Sequence, residues 1–381
     1  MRLRNSLVAA CVVTGLALTV PAHAAGPDVW TQDGYGPGHT GYNPTESVIN
    51  TGSIAKLKLR WATTASLEPE GCEPTPQPPL VLDGRMFLLD SGGISGYDDK
   101  TGKKLWSSAG VFDGFGMAVA GGRVLGTEIN CFSNSNYDTN VVALDPKTGQ
   151  ELWNQIQGYS INNSVADAGV FVVSGFCGIC DGDERYGVTA FRITDGKQLW
   201  QRTGRVLAGP VSANGRIVLR DTSDPEIEVT DIKTGDVLWG GGAWQVAAAN
   251  PAGDQFYLFN SSGVAAIDAS TAKVKWTIKH ESGALISDGK RVFVASANRI
   301  NAYDAKTGKP NWTRAYPNPN NLIRAGGLLY ALSGKKLLIL SPPNGKPVAS
   351  GTPYGNLTDH VVATGGRLYT TAGATVRAYT P

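Results

Sequence analysis

One motif recurs along most of this chain and sets its fold class. Segments of the form A-x-D-x-x-T-G-x-x-x-W end at a tryptophan, a strand-like segment near the N-terminus ends the same way, and one degenerate copy ends at an alanine. These ends are Trp61, Trp106, Trp153, Trp200, Trp239, Trp276, Trp312 and Ala349. Their spacing of 36 to 47 residues lies within or just below the range of four-stranded propeller blades. The period therefore predicts an all-β propeller.

Each position of the motif has a physical role. The aspartate follows an apolar strand and can cap the next turn by accepting backbone N–H bonds. The following Thr-Gly supplies a turn hydroxyl and a residue that tolerates positive φ. The tryptophan can pack between blades while its N–H finds a carbonyl. Three copies depart from the pattern, with Arg192 in place of the aspartate, Ala272 in place of the glycine and Ala349 in place of the tryptophan.

A glycine-containing hairpin precedes the motif and occurs eight times, from DGRMFLLD to GGRLYTTA. The last hairpin stops at Pro381 without a fourth strand, whereas the segment ending at Trp61 has no hairpin before it. Pairing the two completes one mixed blade and leaves no open sheet edge. We therefore expect a single eight-bladed β-propeller of four-stranded antiparallel blades over residues 57–381, preceded by a lead-in segment at 25–56.

The first 24 residues read as a signal peptide. Arg2 and Arg4 form a basic start, an apolar stretch follows, and Ala22-His23-Ala24 fits an A-x-A cleavage site. A lipobox around Cys11 is the alternative, but too few apolar residues precede it. Cleavage removes two of the 34 basic residues and leaves 32 against 32 acidic ones, so the composition does not favour nucleic acid. No later stretch is long and apolar enough to span a membrane.

From Trp61 to Pro381 the chain resembles the pyrroloquinoline-quinone-type repeat propellers. That superfamily includes quinoprotein alcohol dehydrogenases and BamB, a lipoprotein of the outer-membrane β-barrel assembly machinery. The resemblance implies the fold, whereas function does not transfer with a fold. The dehydrogenases have adjacent cysteines over the quinone and a calcium site, and neither can be placed here. We therefore predict no cofactor, with pyrroloquinoline quinone and calcium as the alternative.

Long loops over the first three blades hold all four cysteines of the mature chain. The loops span residues 62–79, 129–140 and 175–187. If the first strand of each blade descends, these loops share one face with the connections between blades, which we call the top face. Extended loops on a rigid scaffold often carry function. We expect disulfides Cys72–Cys131 and Cys177–Cys180 in an oxidising compartment. A four-thiolate zinc site and a redox-active pair remain alternatives.

Polar and aromatic side chains in these loops and connections are candidates for ligand binding. They are Asn162, Asn163, Asp181, Asp183, Glu184, Arg185 and Trp244. The acidic turn lacks the full oxygen pattern of a calcium loop, so no metal site is predicted. His280 and Glu281 are candidates for a general acid/base pair, because they are adjacent in a connection on the top face. Ordinary loop chemistry is the competing interpretation of each residue.

The sequence favours an exported, monomeric, non-catalytic binding or scaffold module. Its expected partner is a protein or a cell-surface polymer or glycan, and its expected location is secreted, periplasmic or otherwise extracytoplasmic in a bacterium. One alternative is a quinoprotein-like dehydrogenase or polysaccharide-acting enzyme with its site on the top face. A BamB-like outer-membrane assembly factor is another.

Overall fold

A computed structural model describes residues 29–65, 77–90, 93–108, 116–129, 139–178, 180, 182–348 and 359–381. The chain begins with short lead-in elements before the repeats. These are β1 (Val29–Trp30), β2 (Tyr42–Asn43), a 3-10 turn (Ile54–Lys56) and β3 (Lys58–Thr64). The signal peptide, Cys72, Cys131, Asp181 and Ala349 lie outside the described residues.

The repeats form eight sheets around a central channel, and the first strand of each repeat lies on the channel side of its sheet. In the first and seventh sheets a lead-in strand, β1 or β2, adds to that inner edge. The first four sheets use β4 (Leu80–Leu82), β5 (Arg85–Asp90), β6 (Gly93–Asp98), β7 (Lys104–Ser107); β8 (Ala118–Ala120), β9 (Arg123–Ile129), β10 (Thr139–Leu144), β11 (Glu151–Gln157); β12 (Ser160–Asp167), β13 (Val170–Phe176), β14 (Tyr186–Arg192), β15 (Gln198–Thr203); and β16 (Arg205–Ser212), β17 (Arg216–Asp221), β18 (Glu226–Asp231), β19 (Val237–Ala243). A short 3-10 turn, Gly182–Arg185, precedes β14.

The last four sheets complete the ring and use β20 (Gln245–Ala249), β21 (Gln255–Asn260), β22 (Gly263–Asp268), β23 (Val274–Lys279); β24 (Ala284–Ser287), β25 (Arg291–Ser296), β26 (Arg299–Asp304), β27 (Pro310–Ala315); β28 (Pro319–Ala325), β29 (Leu328–Ser333), β30 (Lys336–Leu340); and β31 (Val361–Thr364), β32 (Arg367–Ala372), β33 (Thr375–Thr380). No helix in the described part of the chain is long and apolar enough to cross a membrane.

Both chain ends contribute to the eighth blade, as the sequence predicted. Strand β3 pairs antiparallel with β33, and Trp61 lies opposite Ala378. The sheet order β3-β33-β32-β31 therefore joins the N-terminal strand to the C-terminal hairpin. The seventh sheet differs from the expected all-antiparallel blade, because its fourth strand is β2, which pairs parallel with β28 on the channel side.

The aspartates of the motif cap their turns. In the first blade the Asp98 Oδ1 accepts the Thr101 N–H at 2.8 Å and the Thr101 hydroxyl at 2.7 Å. These bonds lower the pKa of Asp98, with the threonine hydroxyl as the main cause. In the third blade Arg192 and Asp195 exchange the roles, since the Arg192 Nε donates to the Asp195 Oδ1 at 2.8 Å. The departure at Arg192 is thus compensated within its own turn.

Seven of the eight junctions between neighbouring blades contain a docking tryptophan. In each case the indole N–H donates to a backbone carbonyl in the following blade's turn, at 2.8–3.2 Å. The small residue that opens the motif lies directly across the strand pair from the ring, as in Ala143 opposite Trp153 and Ala266 opposite Trp276. A larger residue would meet the indole, which explains the alanine of the motif.

The lead-in segment closes one end of the channel. We call residues 29–50 the N-terminal strap. Strand β1 pairs with β4 of the first blade, and strap groups then bond to the inner strands of blades two to eight in order. The Gln32 side-chain amide donates to the Ala166 carbonyl and accepts the Ala166 N–H, and the Asn43 amide donates to the Ala363 carbonyl. Strap carbonyls accept five backbone N–H groups, those of Val119, Ser212, Ala249, Ser287 and Arg324. Each contact lies near the end of a descending inner strand, so the strap closes the bottom face.

The strap also packs beneath the last two blades. The buried Glu46 carboxylate accepts the N–H groups of Val48 and Ile49 and, from the eighth blade, Gly366 at 2.9 Å. The Ile49 carbonyl lies so close to Gly326 of the seventh blade that a Cβ there would sit 1.7 Å from it. The strap thus bridges the junction of blades seven and eight, where the repeat has alanine in place of the docking tryptophan.

Candidate functional site

The strap forms the floor of the channel as seen from the top face, and two adjoining cavities lie above it. One, of about 160 Å³, is lined by Gln32, Asp33, Gln77, Asn162 and Asn163 among others. The other, of about 120 Å³, is lined by Trp30, Asp33, His39, Asn321 and His360 among others. Asp33 borders both cavities, and we call the two together the channel recess.

Two polar side chains of this recess, Trp30 and His39, can bond to a ligand or to water. The buried Trp30 Nε1 and His39 Nδ1 have no hydrogen-bond partner among the described residues, and such buried groups are usually satisfied by ordered water. The His360 Nδ1 lies 3.1 Å from the Asn321 Nδ2. The recess can therefore hold small polar molecules.

The same recess does not fit a calcium–quinone centre. Calcium takes six to eight oxygen ligands, usually with several carboxylates. Among the described residues no group of three or more histidine, cysteine, aspartate or glutamate side chains is placed to hold a metal, and Asp33 is the single acidic residue that borders the two cavities. We derive no chemical step through such a centre.

A larger groove of about 450 Å³ lies between blades four and five on the top face. Trp244 lies in the connection between the two blades and Gln245 begins β20. Phe259 and Asn260 come from the end of β21, and Arg220 from the end of β17. Both aromatic side chains are half-buried. The volume lies in the range that accommodates ligands or the side chains of a partner.

The backbone before Trp244 explains how this ring reaches the groove. Three consecutive glycines, Gly240 to Gly242, precede it, and Gly241 and Gly242 have φ of 127° and 76°. These values favour glycine over any residue with a Cβ. Strand β19 shifts its pairing register at this glycine bend and pairs again at Ala243, opposite Glu226, so Trp244 follows directly at the top end of the blade.

Charged groups next to the groove differ in their pairing. Arg205 bridges Asp221 and Glu228, and Arg202 also contacts Glu228 at 2.6 Å. Asp221 accepts the Ser223 hydroxyl and N–H, which lowers its pKa to about 2 with help from Arg205. Arg220 is exposed and has no ion-pair partner among the described residues. One guanidinium therefore remains available beside two aromatic rings.

The predicted binding residues fall in separate places. Asn162 and Asn163 line the channel recess, whereas Trp244 lies in the groove. Arg185 is exposed at the end of the 3-10 turn Gly182–Arg185, and its carbonyl accepts the Cys177 N–H at 2.7 Å. The side chains of Asp183 and Glu184 lie outside the described residues. The Cys177 and Cys180 sulfurs lie 2.04 Å apart, so a disulfide closes this loop.

His280 and Glu281 point to different surroundings. His280 is exposed, with φ of 58°. Glu281 is buried, and its carboxylate accepts bonds from the Ser296 hydroxyl, the Arg299 guanidinium and the Asn301 amide. The pKa of Tyr303 is raised by burial and by this carboxylate. Glu281 thus connects strands of the sixth blade.

Sequence reasoning did not identify Asp33, His39, Arg220 or Phe259 as functional candidates. Asp33 and His39 lie in the lead-in segment, where no repeat assigns a position to each residue. Phe259 and Arg220 sit at the ends of ordinary hairpin strands. Trp244 gave the available signal, because it and Trp30 are the two tryptophans outside the repeat position.

Comparison with known proteins assigns the repeat to a family. A family model described as outer membrane protein assembly factor BamB matches residues 20–240, 138–350 and 240–378. A quinohemoprotein alcohol dehydrogenase of Comamonas testosteroni is 25% identical over 307 residues, which cover 69% of this chain and 40% of the enzyme. The chain thus spans less than half the length of that relative.

Solved structures agree with the fold. BamB of Moraxella catarrhalis superposes with a TM-score of 0.59 at 16% identity, covering 85% of this chain and 98% of that one. The Comamonas testosteroni enzyme superposes with a TM-score of 0.65 at 13% identity, covering 94% and 81%. At these identities the likeness extends to the propeller and leaves the site to be argued from its own residues.

Proposed function

We propose, from the premise that this chain belongs to the BamB family of pyrroloquinoline-quinone-type repeat propellers, that it is an exported, non-catalytic scaffold that binds a protein partner. The groove around Trp244 on the top face is the contact site. The observation that carries this proposal is a half-buried tryptophan outside the repeat, placed beside Phe259 and an exposed Arg220.

The composition of the groove favours a protein ligand. Tryptophan and arginine are enriched among the residues that dominate binding energy at protein interfaces. Rigid aromatic rings contribute apolar contact area at low entropic cost. The rim adds the amides of Gln245 and Asn260 and the hydroxyls of Ser261 and Ser282, which can hydrogen-bond to a peptide backbone. We infer an aromatic centre with a polar rim.

Charge complementarity specifies the partner segment further. Arg220 is exposed beside the aromatic walls, and a carboxylate can form a bidentate pair with a guanidinium. The proposed occupant is a partner loop or extended segment that carries a large apolar side chain next to an aspartate or glutamate. The apolar side chain fills the groove, and the carboxylate pairs with Arg220.

Site-specific photo-crosslinking in the native cell envelope tests the contact face. A photoreactive amino acid replaces Gln245 at the groove or, as a matched control, Lys147 in an exposed turn of the bottom face. We expect discrete protein adducts from position 245 and few from position 147. Equal adducts from both positions, or none from 245, would contradict the proposal.

Export is tested on the same preparation by intact-mass analysis. The proposal expects an N-terminus after Ala24 or Ala25 and no lipid on Cys11. A diacylglyceryl mass on Cys11 would replace the soluble form by a lipid-anchored one. A chain that keeps its first 24 residues would overturn export.

The curated dehydrogenase relative favours a second candidate, a quinoprotein-like enzyme. Titration with pyrroloquinoline quinone and calcium, followed by absorbance and thermal shift, separates the two functions. The scaffold proposal expects no stoichiometric complex. Stoichiometric binding that raises the melting temperature would overturn it and favour the dehydrogenase.

A further inference from the structure

A separate pocket of about 280 Å³ lies on the bottom face, beneath the strap. Strap residues form one wall, including Tyr35, Pro37, Tyr42 and Pro44, and the turns of blades three to five form the other. The second wall includes Asp167, Asn214 and Pro251. This pocket is distinct from the channel recess and from the groove at Trp244, because the strap and the blades separate them.

The backbone holds Tyr35 in this wall in an unusual conformation. Its φ is 88°, in the region that favours glycine, and such a conformation costs about 1–3 kcal/mol in a residue with a side chain. The Tyr35 N–H donates to the Gln32 carbonyl, and the Tyr35 carbonyl accepts the Thr31 N–H, both at 3.1 Å. The ring packs edge-on against Trp30, 5.4 Å between centroids. The tyrosine is therefore fixed before any ligand arrives.

The pocket has one acidic side chain among its lining residues, Asp167. Burial raises the pKa of Tyr35, so its phenol stays neutral. Asp167 is fixed by the Ser212 hydroxyl at 2.7 Å, the Gly215 N–H at 2.8 Å and the Ala168 N–H at 2.7 Å. A carboxylate offers about four acceptor sites, so one remains for a ligand. The pocket is negative and walled by aromatic and proline rings.

We propose that this pocket binds an organic cation, an ammonium or guanidinium group with a short apolar body. The carboxylate of Asp167 pairs with the charge, and the Tyr35 and Tyr42 rings contact the cation and its alkyl part. The Tyr42 ring already lies 5.9 Å from the Arg324 guanidinium, and Arg324 is itself paired with Asp288 at 3.3 Å. The volume suits a single side chain or a small amine rather than a drug-sized ligand.

Calorimetric titration of the mature protein tests the charge requirement. The probes are N-acetyl-arginine amide and its neutral isostere, N-acetyl-citrulline amide. We expect saturable binding of the arginine probe at one site and at least about tenfold weaker binding of the citrulline probe. Equal affinity of the two probes, or no saturable binding of the arginine probe, would overturn the cation site.

Variants locate the binding. Asp167→Asn keeps the size of the side chain and is expected to weaken arginine-probe binding at least about tenfold. Since Asp167 also anchors two turns, Tyr42→Leu serves as a second variant that removes a ring and keeps the carboxylate, with a severalfold loss expected. Gln198→Ala, at an exposed position on the outer strand of the third blade, is the matched control and should leave binding unchanged. Unchanged binding in both pocket variants would overturn the proposal.

A second titration distinguishes the source of the cation. The peptide Gly-Arg-Gly amide carries the same side chain in a chain context. Tighter binding of this peptide than of the single-residue probe supports a basic segment of a protein, and equal or weaker binding supports a free small amine. The crosslinking test at Gln245 reports on another face, so either proposal can fail without the other.

Discussion

Trp239 and Trp244 are five residues apart and have different roles in the structure. The Trp239 Nε1 donates to the Ala269 carbonyl of the next blade at 3.0 Å, in the same register as six other tryptophans. Trp244 lies beyond the glycine bend, in the top-face groove. The comparison shows that a tryptophan at the repeat position docks one blade on the next, whereas a tryptophan outside that position can contact a ligand. The residue type alone does not distinguish these two roles, since both residues are tryptophans.

The largest expected effect is the loss of a docking tryptophan. Trp153→Ala removes a buried indole from the junction of blades two and three, and we expect a loss of about 3–5 kcal/mol in the free energy of unfolding. Urea denaturation measures it. Trp244→Ala should cost about 1 kcal/mol or less, because that ring is half-exposed. Equal losses in the two variants would break the comparison.

A smaller effect is expected in the strap. Glu46→Ala leaves the N–H groups of Val48, Ile49 and Gly366 without their acceptor, and we expect a loss of about 2–3 kcal/mol in the free energy of unfolding. Glu46→Gln keeps one oxygen acceptor and should lose less. The same denaturation assay applies. If Glu46→Ala is neutral, the strap does not stabilise the junction that lacks a tryptophan.

The glycine position of the turn can be tested by exchanging alanine and glycine in two neighbouring blades. Ala272 occupies the glycine position of the motif with φ of 60°, whereas Gly308 has φ of 69° in the next blade. Ala272→Gly should stabilise by about 0.5–1 kcal/mol by removing left-handed strain. Gly308→Ala should destabilise by about 1–2 kcal/mol, since its Cβ would also lie 2.9 Å from Trp276. Thermal melts compare them, and a destabilised Ala272→Gly would contradict this account.

The smallest effect on stability per residue is expected when the motif aspartates are protonated at low pH. Hydrogen bonds lower the pKa of the motif carboxyls Asp98, Asp145, Asp268 and Asp304, chiefly the bonds from the threonine hydroxyl or from turn N–H groups. A carboxyl whose folded pKa is depressed stabilises fully above its unfolded pKa, near 3.9, and loses that contribution below it. The melting temperature should fall as the pH drops from about 4 toward 2. In Asp98→Asn and Asp145→Asn the fall should be shallower.

The fold could be predicted because each blade repeats the same physical solution. The aspartate cap, the glycine of the turn and the tryptophan recur in one register, and the missing strand at Pro381 matches the spare one ending at Trp61. The strap contacts could not be predicted in this way. Residues 29–50 occur once, so no period indicates that Thr31, Pro37 and Gly41 bond to different blades.

The site was harder to predict for a related reason. Trp244 stood out because it departs from the repeat, but its neighbours Arg220 and Phe259 occupy ordinary hairpin positions. Their proximity depends on how two blades diverge at the top face. Tyr35 and Asp167 are separated by more than a hundred residues in sequence and line the same pocket because the strap runs beneath the channel.

The direct test of the central claim compares Trp239→Ala with Trp244→Ala in one experiment. Each variant carries the photoreactive amino acid at position 245, and both the free energy of unfolding and the yield of the partner adduct are measured. The account predicts that Trp239→Ala lowers stability and keeps the adduct, while Trp244→Ala keeps stability and loses the adduct. Retention of the adduct in Trp244→Ala, or its loss in a folded Trp239→Ala, would contradict the claim.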